Sequence, residues 1–158
     1  MAHQNEAELI EAVETAEGHI RRGNSYYESG KFEEAVAEFS KAIELEPILT
    51  PLFTRDNLYF IIYLIRGDAY KKLSEHDKAV ADYDKAIELE PDDPINYISR
   101  CSAYVALGKF RKAAADMDKA IDLEPDDAVN YIIRAIVNFR QFKLLKAVAD
   151  ARQFFKRR

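Results

Sequence analysis

The heptad KAIELEP stands at residues 41–47 and again at 85–91, and KAIDLEP follows at 119–125. The first interval is 44 residues and the second is 34. A period of 20–50 residues marks stacked supersecondary units, each too small to bury its apolar face alone. Aligned on the heptad, Gly23, Tyr26, Ala35, Phe39, Ala42 and Pro47 form a frame. It recurs as Gly67, Tyr70, Ala79, Tyr83, Ala86 and Pro91, and as Cys101, Tyr104, Ala113, Met117, Ala120 and Pro125. In a decaying fourth copy Ala135, Asn138, Ala147 and Ala151 hold the frame and no proline follows.

Each unit reads as two helices. Tyr97, Cys101 and Tyr104 fall at four- and three-residue steps, one face of a first helix. Gly108 breaks it. Phe110, Ala113, Met117 and Ala120 mark a second helix, which stops before Pro125 because proline cannot continue it. Small residues at Gly67, Cys101 and Ala135 let a neighbouring helix come close.

These columns resemble the tetratricopeptide repeat, a 34-residue pattern with an aromatic, Leu-Gly, Tyr, Ala-x3-Phe and Pro. The resemblance covers residues 16–158 and implies an all-α, right-handed α-solenoid of about four helix-turn-helix units. The expected division is an N-terminal helical extension at 1–15, repeat 1 at 16–49, an insertion at 50–59, repeat 2 at 60–93, repeat 3 at 94–127 and a truncated, capping repeat 4 at 128–158. Where the family pattern has Leu, this chain has Arg22, Arg66, Arg100 and Arg134.

Sixteen residues after each arginine stands an acid: Glu38, Asp82, Asp116 and Asp150. The midpoints are Gly30, Ser74, Gly108 and Phe142, where the helices should turn. Residues equidistant from a hairpin turn lie at similar height on antiparallel helices. The spacing therefore predicts an Arg–acid pair between the two helices of each repeat; the alternative is an arginine ladder for an anionic ligand.

The ten late residues are TPLFTRDNLY, Thr50–Tyr59. Thr50 suits an N-cap and Pro51 the first helical position, so the insertion reads as two or three extra turns on the first helix of repeat 2. Asp56 could instead cap a shorter helix, leaving 50–55 as a link. Residues 6–15 also look helical, with Leu9, Ile10, Val13 and Ile20 at helical steps. Two elongated leading helices would pack Leu9, Ile10 and Val13 against Leu52, Phe53 and Tyr59.

The formal net charge of −5 argues against nucleic acid, which calls for a basic surface. The longest apolar run, Leu58–Ile65, is too short for a bilayer needing about 20 residues, so no integral membrane segment is expected. The first residues show no basic segment ahead of an apolar core, so no secretory signal is read there. The single cysteine, Cys101, excludes an internal disulfide and suits a reduced, cytoplasmic setting. No phosphate-binding loop is present, and His3, His19 and His76 form no ligand cluster. Asp82/Asp84 and Asp116/Asp118 point about 200° apart on a helix, a poor geometry for one metal. We therefore expect no enzyme, no metal and no cofactor, with Cys101 a small core residue.

The resemblance also implies a concave groove lined by the first helix of each repeat. Its columns are Ile20, Asn24 and Tyr27; Ile61, Leu64, Asp68 and Lys71; Ile95, Ile98, Ser102 and Val105; and Val129, Ile132, Ile136 and Phe139. Nine of the twelve in repeats two to four are apolar. Such a groove suits a protein or peptide segment with apolar anchors, as in a non-catalytic adaptor. The clamp with which one family branch holds acidic chaperone tails needs Lys and Asn, then Asn, then Lys and Arg. Here those columns read Ile20, Asn24, Ile65, Ile95 and Ser99, so only Asn24 matches. The alternative is a homo-oligomeric scaffold, a homodimer through the groove or the last helix. That helix carries Phe154 and Phe155 among six cations: Lys143, Lys146, Arg152, Lys156, Arg157 and Arg158.

Overall fold

The computed structural model describes the backbone of residues 2–45 and 58–156 and the side chains of residues 11–45 and 59–145. Seven helices and no strand occur among the described residues: α1 (Ala2–Glu28), α2 (Phe32–Glu44), α3 (Leu58–Lys72), α4 (His76–Leu89), α5 (Pro94–Ala106), α6 (Phe110–Leu123) and α7 (Ala128–Lys156). They fall into two compact units, Met1–Pro91 and Asp92–Arg158.

Local chemistry sets the helix ends. Asp93 caps α5, its carboxylate accepting from the Ile95 amide at 2.9 Å, with Pro94 at the first position where its missing N–H is not needed. Asp127 does the same for α7 through the Val129 amide at 2.9 Å. Each hairpin turn ends its first helix with one left-handed residue: Gly30 (φ 73°), Ser74 (φ 61°) and Gly108 (φ 69°). The next amide then folds back onto the tyrosine carbonyl of the frame: Lys31 onto Tyr26 at 2.9 Å, Glu75 onto Tyr70 at 2.9 Å and Lys109 onto Tyr104 at 2.8 Å. These bonds use carbonyls the helix end leaves open.

Within the first unit, Phe39 of α2 and Tyr83 of α4 are fully buried, each lying on a glycine of the preceding helix. A Cβ built at Gly23 would sit 2.6 Å from the Phe39 ring, and one at Gly67 2.7 Å from the Tyr83 ring. In the second unit the same two columns hold Cys101 and Met117, both buried, so a larger residue on one helix accompanies a slimmer one on the other.

Helix α1 is elongated, running 27 residues, and its Val13 and Ala16 belong to the core built with Phe39, Tyr59 and Ile62. Of the expected pairing between elongated helices, the side chains of Leu9, Ile10, Leu52 and Phe53 lie outside the described residues. So do Thr50 and Asp56, on which the start of the second leading helix turned.

The fourth unit departs from expectation. Instead of a helix-turn-helix, residues 128–156 form the single 29-residue helix α7. The physical reason lies at the turn position. The other hairpins place Gly30, Ser74 or Gly108 in the left-handed region, whereas this one offers Phe142, for which that conformation costs about 1–2 kcal/mol. The helix continues through it.

Candidate partner-binding site

The arginine column lies between the paired helices. Arg66 Nε and Nη2 donate to the Asp82 carboxylate at 2.8 and 2.6 Å, while Nη1 donates to Ser40 Oγ on α2 at 2.9 Å. Arg100 grips Asp116 in the same two-pronged way, at 3.1 and 2.7 Å. Arg22 Nε donates to Glu38 at 2.7 Å, and Glu38 also receives Lys41 at 2.7 Å and lies 2.9 Å from His19 Nδ1. The environments differ. Contacts from Lys41, His19 and Arg22 hold the Glu38 carboxyl down at about 2. Asp82, with one arginine and a deeper seat, is raised from its ordinary value because burial outweighs the pull of Arg66.

The fourth arginine differs from the other three. Its expected partner is Asp150, whose side chain lies outside the described residues; on the continuous helix the two positions are about 24 Å apart along the axis, at 1.5 Å per residue. Arg134 Nη1 donates to Asp118 Oδ1 at 2.8 Å, a partner whose side chain is 60% exposed.

Of the groove columns in the first unit, Asn24, Tyr27 and Asp68 line one cleft of about 380 Å³ together with Glu28 and Ile65. Its floor is polar. Asp68 accepts the Tyr83 hydroxyl at 2.8 Å and pairs with Lys71 at 2.8 Å. Burial and the Asp68 charge raise the phenols of both Tyr27 and Tyr83. Ile20 packs against the core and Leu64 is half-buried, which leaves Ile61 as the exposed aliphatic among these columns. Glu28 was missed at the sequence level because it stands one step beyond Tyr27, outside the groove columns, whereas the cleft draws its lining from both α1 and α3.

The second unit is different. On α7 the columns Val129, Ile132, Ile136 and Phe139 stand at three- and four-residue steps, and each is more than half exposed. Ile95 of α5 is also exposed, Ile98 and Val105 are half-buried, and Ser102 is exposed. Phe142, Leu144 and Leu145 extend the apolar exposure along α7. Leu144 and Leu145 wall a cleft of about 410 Å³ with Gln141, the turn residues Gly108 and Lys109 and the start of α6 at Phe110, Arg111 and Lys112. Cys101 lies inside the unit, its thiol pushed up to about 12 by burial and the Asp116 charge, which leaves it unreactive. Among the described residues no helix is long and apolar enough to cross a membrane.

Comparison with known proteins agrees with this architecture. Models of the tetratricopeptide repeat match residues 16–48, 61–93 and 101–158. No curated protein matches the sequence. Solved structures do. The Arabidopsis OM64 TPR domain aligns at 24% identity with a TM-score of 0.67, over 80% of this chain and 97% of that one. The second TPR domain of human RPAP3, in complex with the HSP70 peptide SGPTIEEVD, aligns at 23% and 0.68, over 80% and 98%. The first TPR of Spaghetti (RPAP3), bound to the HSP90 peptide SRMEEVD, aligns at 23% and 0.65, over 79% and 91%. At these identities the likeness is one of fold. With its frame matched by three family models and its helices following those of solved members, the chain belongs to the tetratricopeptide repeat family, whose domains are protein–protein interaction modules and generally non-catalytic.

Proposed function

We propose that this protein is a non-catalytic adaptor that receives an amphipathic partner segment on the apolar face of α7 and α5. The observation that carries this is the exposed stripe Val129, Ile132, Ile136 and Phe139, with Ile95 of α5 also exposed in the same unit. Burying such side chains against a partner is worth about 25 cal/mol per Å² removed from water. An amphipathic helix with aliphatic anchors at i, i+3, i+4 and i+7 has the matching spacing. A cytoplasmic setting, with the single cysteine reduced, fits this role.

Acidic chaperone tails fit less well. The peptides held by the RPAP3 domains end in EEVD and carry three acids plus a terminal carboxylate. In this chain the clamp columns Asn24 and Ile65 line a cleft that also holds Glu28 and Asp68. Carboxylates there repel an anionic tail, and no cation stands in the columns Ile20, Ile95 and Ser99. Among the described residues, a self-associating scaffold is favoured by the exposed Phe142, Leu144 and Leu145 of α7.

The test is selection of binders from a phage library of random peptides on the immobilised full chain. The expected consensus has Leu, Ile or Phe at helical spacing, and Ile98→Asp with Ile132→Asp should weaken binding at least about tenfold while circular dichroism is unchanged. A consensus of acidic C-terminal tails, equal binding by the variant, or no binder at all would overturn the assignment.

A further inference from the structure

Helix α7 presents three faces. Asn130 and Val137 are buried on the inner one, and Val129, Ile132, Ile136 and Phe139 form the exposed stripe. The third face carries Tyr131, Ala135, Asn138 and Phe142, and all four are exposed. In the preceding repeat the columns matching the first three are Tyr97, Cys101 and Tyr104, and each of these is buried. What differs is the cover. Helix α6 folds back beside α5, whereas α7 runs straight and leaves this face bare.

The residues suited to cover that face are encoded in α7 itself. Ala147 and Ala151 keep the small frame positions, and Asp150 stands sixteen residues after Arg134, the separation of the three pairs that form. The family pattern is matched through residue 158. Phe142 is the midpoint of Arg134 and Asp150, with fourteen residues of α7 on either side of it. A helix carrying both halves of an antiparallel pair, held straight at the midpoint, is complementary to a second copy of itself.

We propose that two copies of this chain exchange the second halves of α7. Residues 143–156 of each copy lie along residues 128–141 of the other, antiparallel, about a two-fold axis near Phe142. Arg134 of one copy then pairs with Asp150 of its partner, and the reverse pair forms by symmetry. Exchange builds the fourth hairpin's contacts without the left-handed turn that Phe142 resists. Arg134 is free to move because its present partner Asp118 is exposed, and such pairs hold by about 0–1 kcal/mol. The Val129–Phe139 stripe lies on a different face and stays open, so this proposal does not rest on the adaptor role.

The test uses the full chain and two charge reversals, Arg134→Asp and Asp150→Arg. Light scattering across a dilution series should give a dimer for the native chain. Each variant alone sets like charges together twice and should dissociate about tenfold to a hundredfold more easily. Mixed, the two variants restore both opposite-charge pairs and should form a heterodimer in preference to either homodimer, read by native mass spectrometry. Two outcomes overturn the proposal: a monomeric native chain at every concentration, which means the hairpin closes on itself or stays open, and a dimer whose variants mix at random, which places the interface elsewhere.

Discussion

Arg22 and Arg66 occupy the same column, yet replacing them should have unequal consequences. Arg66 is 16% exposed and Asp82 7%, and the guanidinium makes three hydrogen bonds, one of them to Ser40 on the preceding hairpin. Arg66→Ala leaves a buried carboxylate without its cation, which costs about 3–5 kcal/mol. Arg22 is 53% exposed, and Glu38 keeps Lys41 and His19 when it is removed, so Arg22→Ala should cost under about 1 kcal/mol. Urea unfolding monitored by circular dichroism reads both. Arg66→Met with Asp82→Leu should recover most of the loss, because two apolar side chains of similar size need no compensation for burial. The pH dependence has a definite sign. Burial already raises Asp82, and loss of Arg66 raises it further, so the folded form binds a proton more readily than the unfolded chain. The deficit of Arg66→Ala is therefore largest near neutral pH and shrinks as pH falls toward the unfolded value of about 4. Equal losses at Arg22 and Arg66, or a double variant no better than Arg66→Ala, would refute this account.

Three further outcomes are expected. Ser74→Gly relieves a left-handed backbone and should stabilise by about 1 kcal/mol, whereas Gly67→Ala drives a methyl into the Tyr83 ring and should destabilise by about 1–3 kcal/mol; both are read as shifts in urea midpoint. Glu38, held at about 2, contributes stability present above its unfolded value of about 4.3 and lost as pH falls from about 5 to 2; half-exposed Lys41 and Arg22 limit it to about 1 kcal/mol, and Glu38→Gln should flatten that part of an acid-unfolding curve. Cys101 should resist a thiol reagent at pH 8 in the folded protein and react at once in urea, and fast native labelling would contradict its placement in the core.

Much of the fold was legible because a helical hairpin is a local object. The steps from Tyr97 to Cys101 to Tyr104 name a buried face, and Pro91 and Pro125 stand just beyond the ends of α4 and α6. The acid sixteen residues beyond an arginine names its partner when a turn lies midway, as at Gly30, Ser74 and Gly108. The candidate site was less legible. Column rules treat Leu64 and Ile132 alike, but the first is half-buried and the second is 59% exposed, since exposure depends on what packs alongside. Likewise Glu28 lines the cleft of Asn24 and Asp68 although it stands outside the groove columns.

By itself the amino-acid order determined the helical pairs, their registers and the arginine column, since each follows from contacts spanning fewer than 20 residues across a tight turn. Only the tertiary structure decided the last repeat. The same spacing of Arg134 and Asp150 serves a closed hairpin or an open helix, and the choice rests on whether Phe142 adopts a left-handed backbone. It does not, and α7 continues straight, leaving exposed a face that its counterpart in α5 buries.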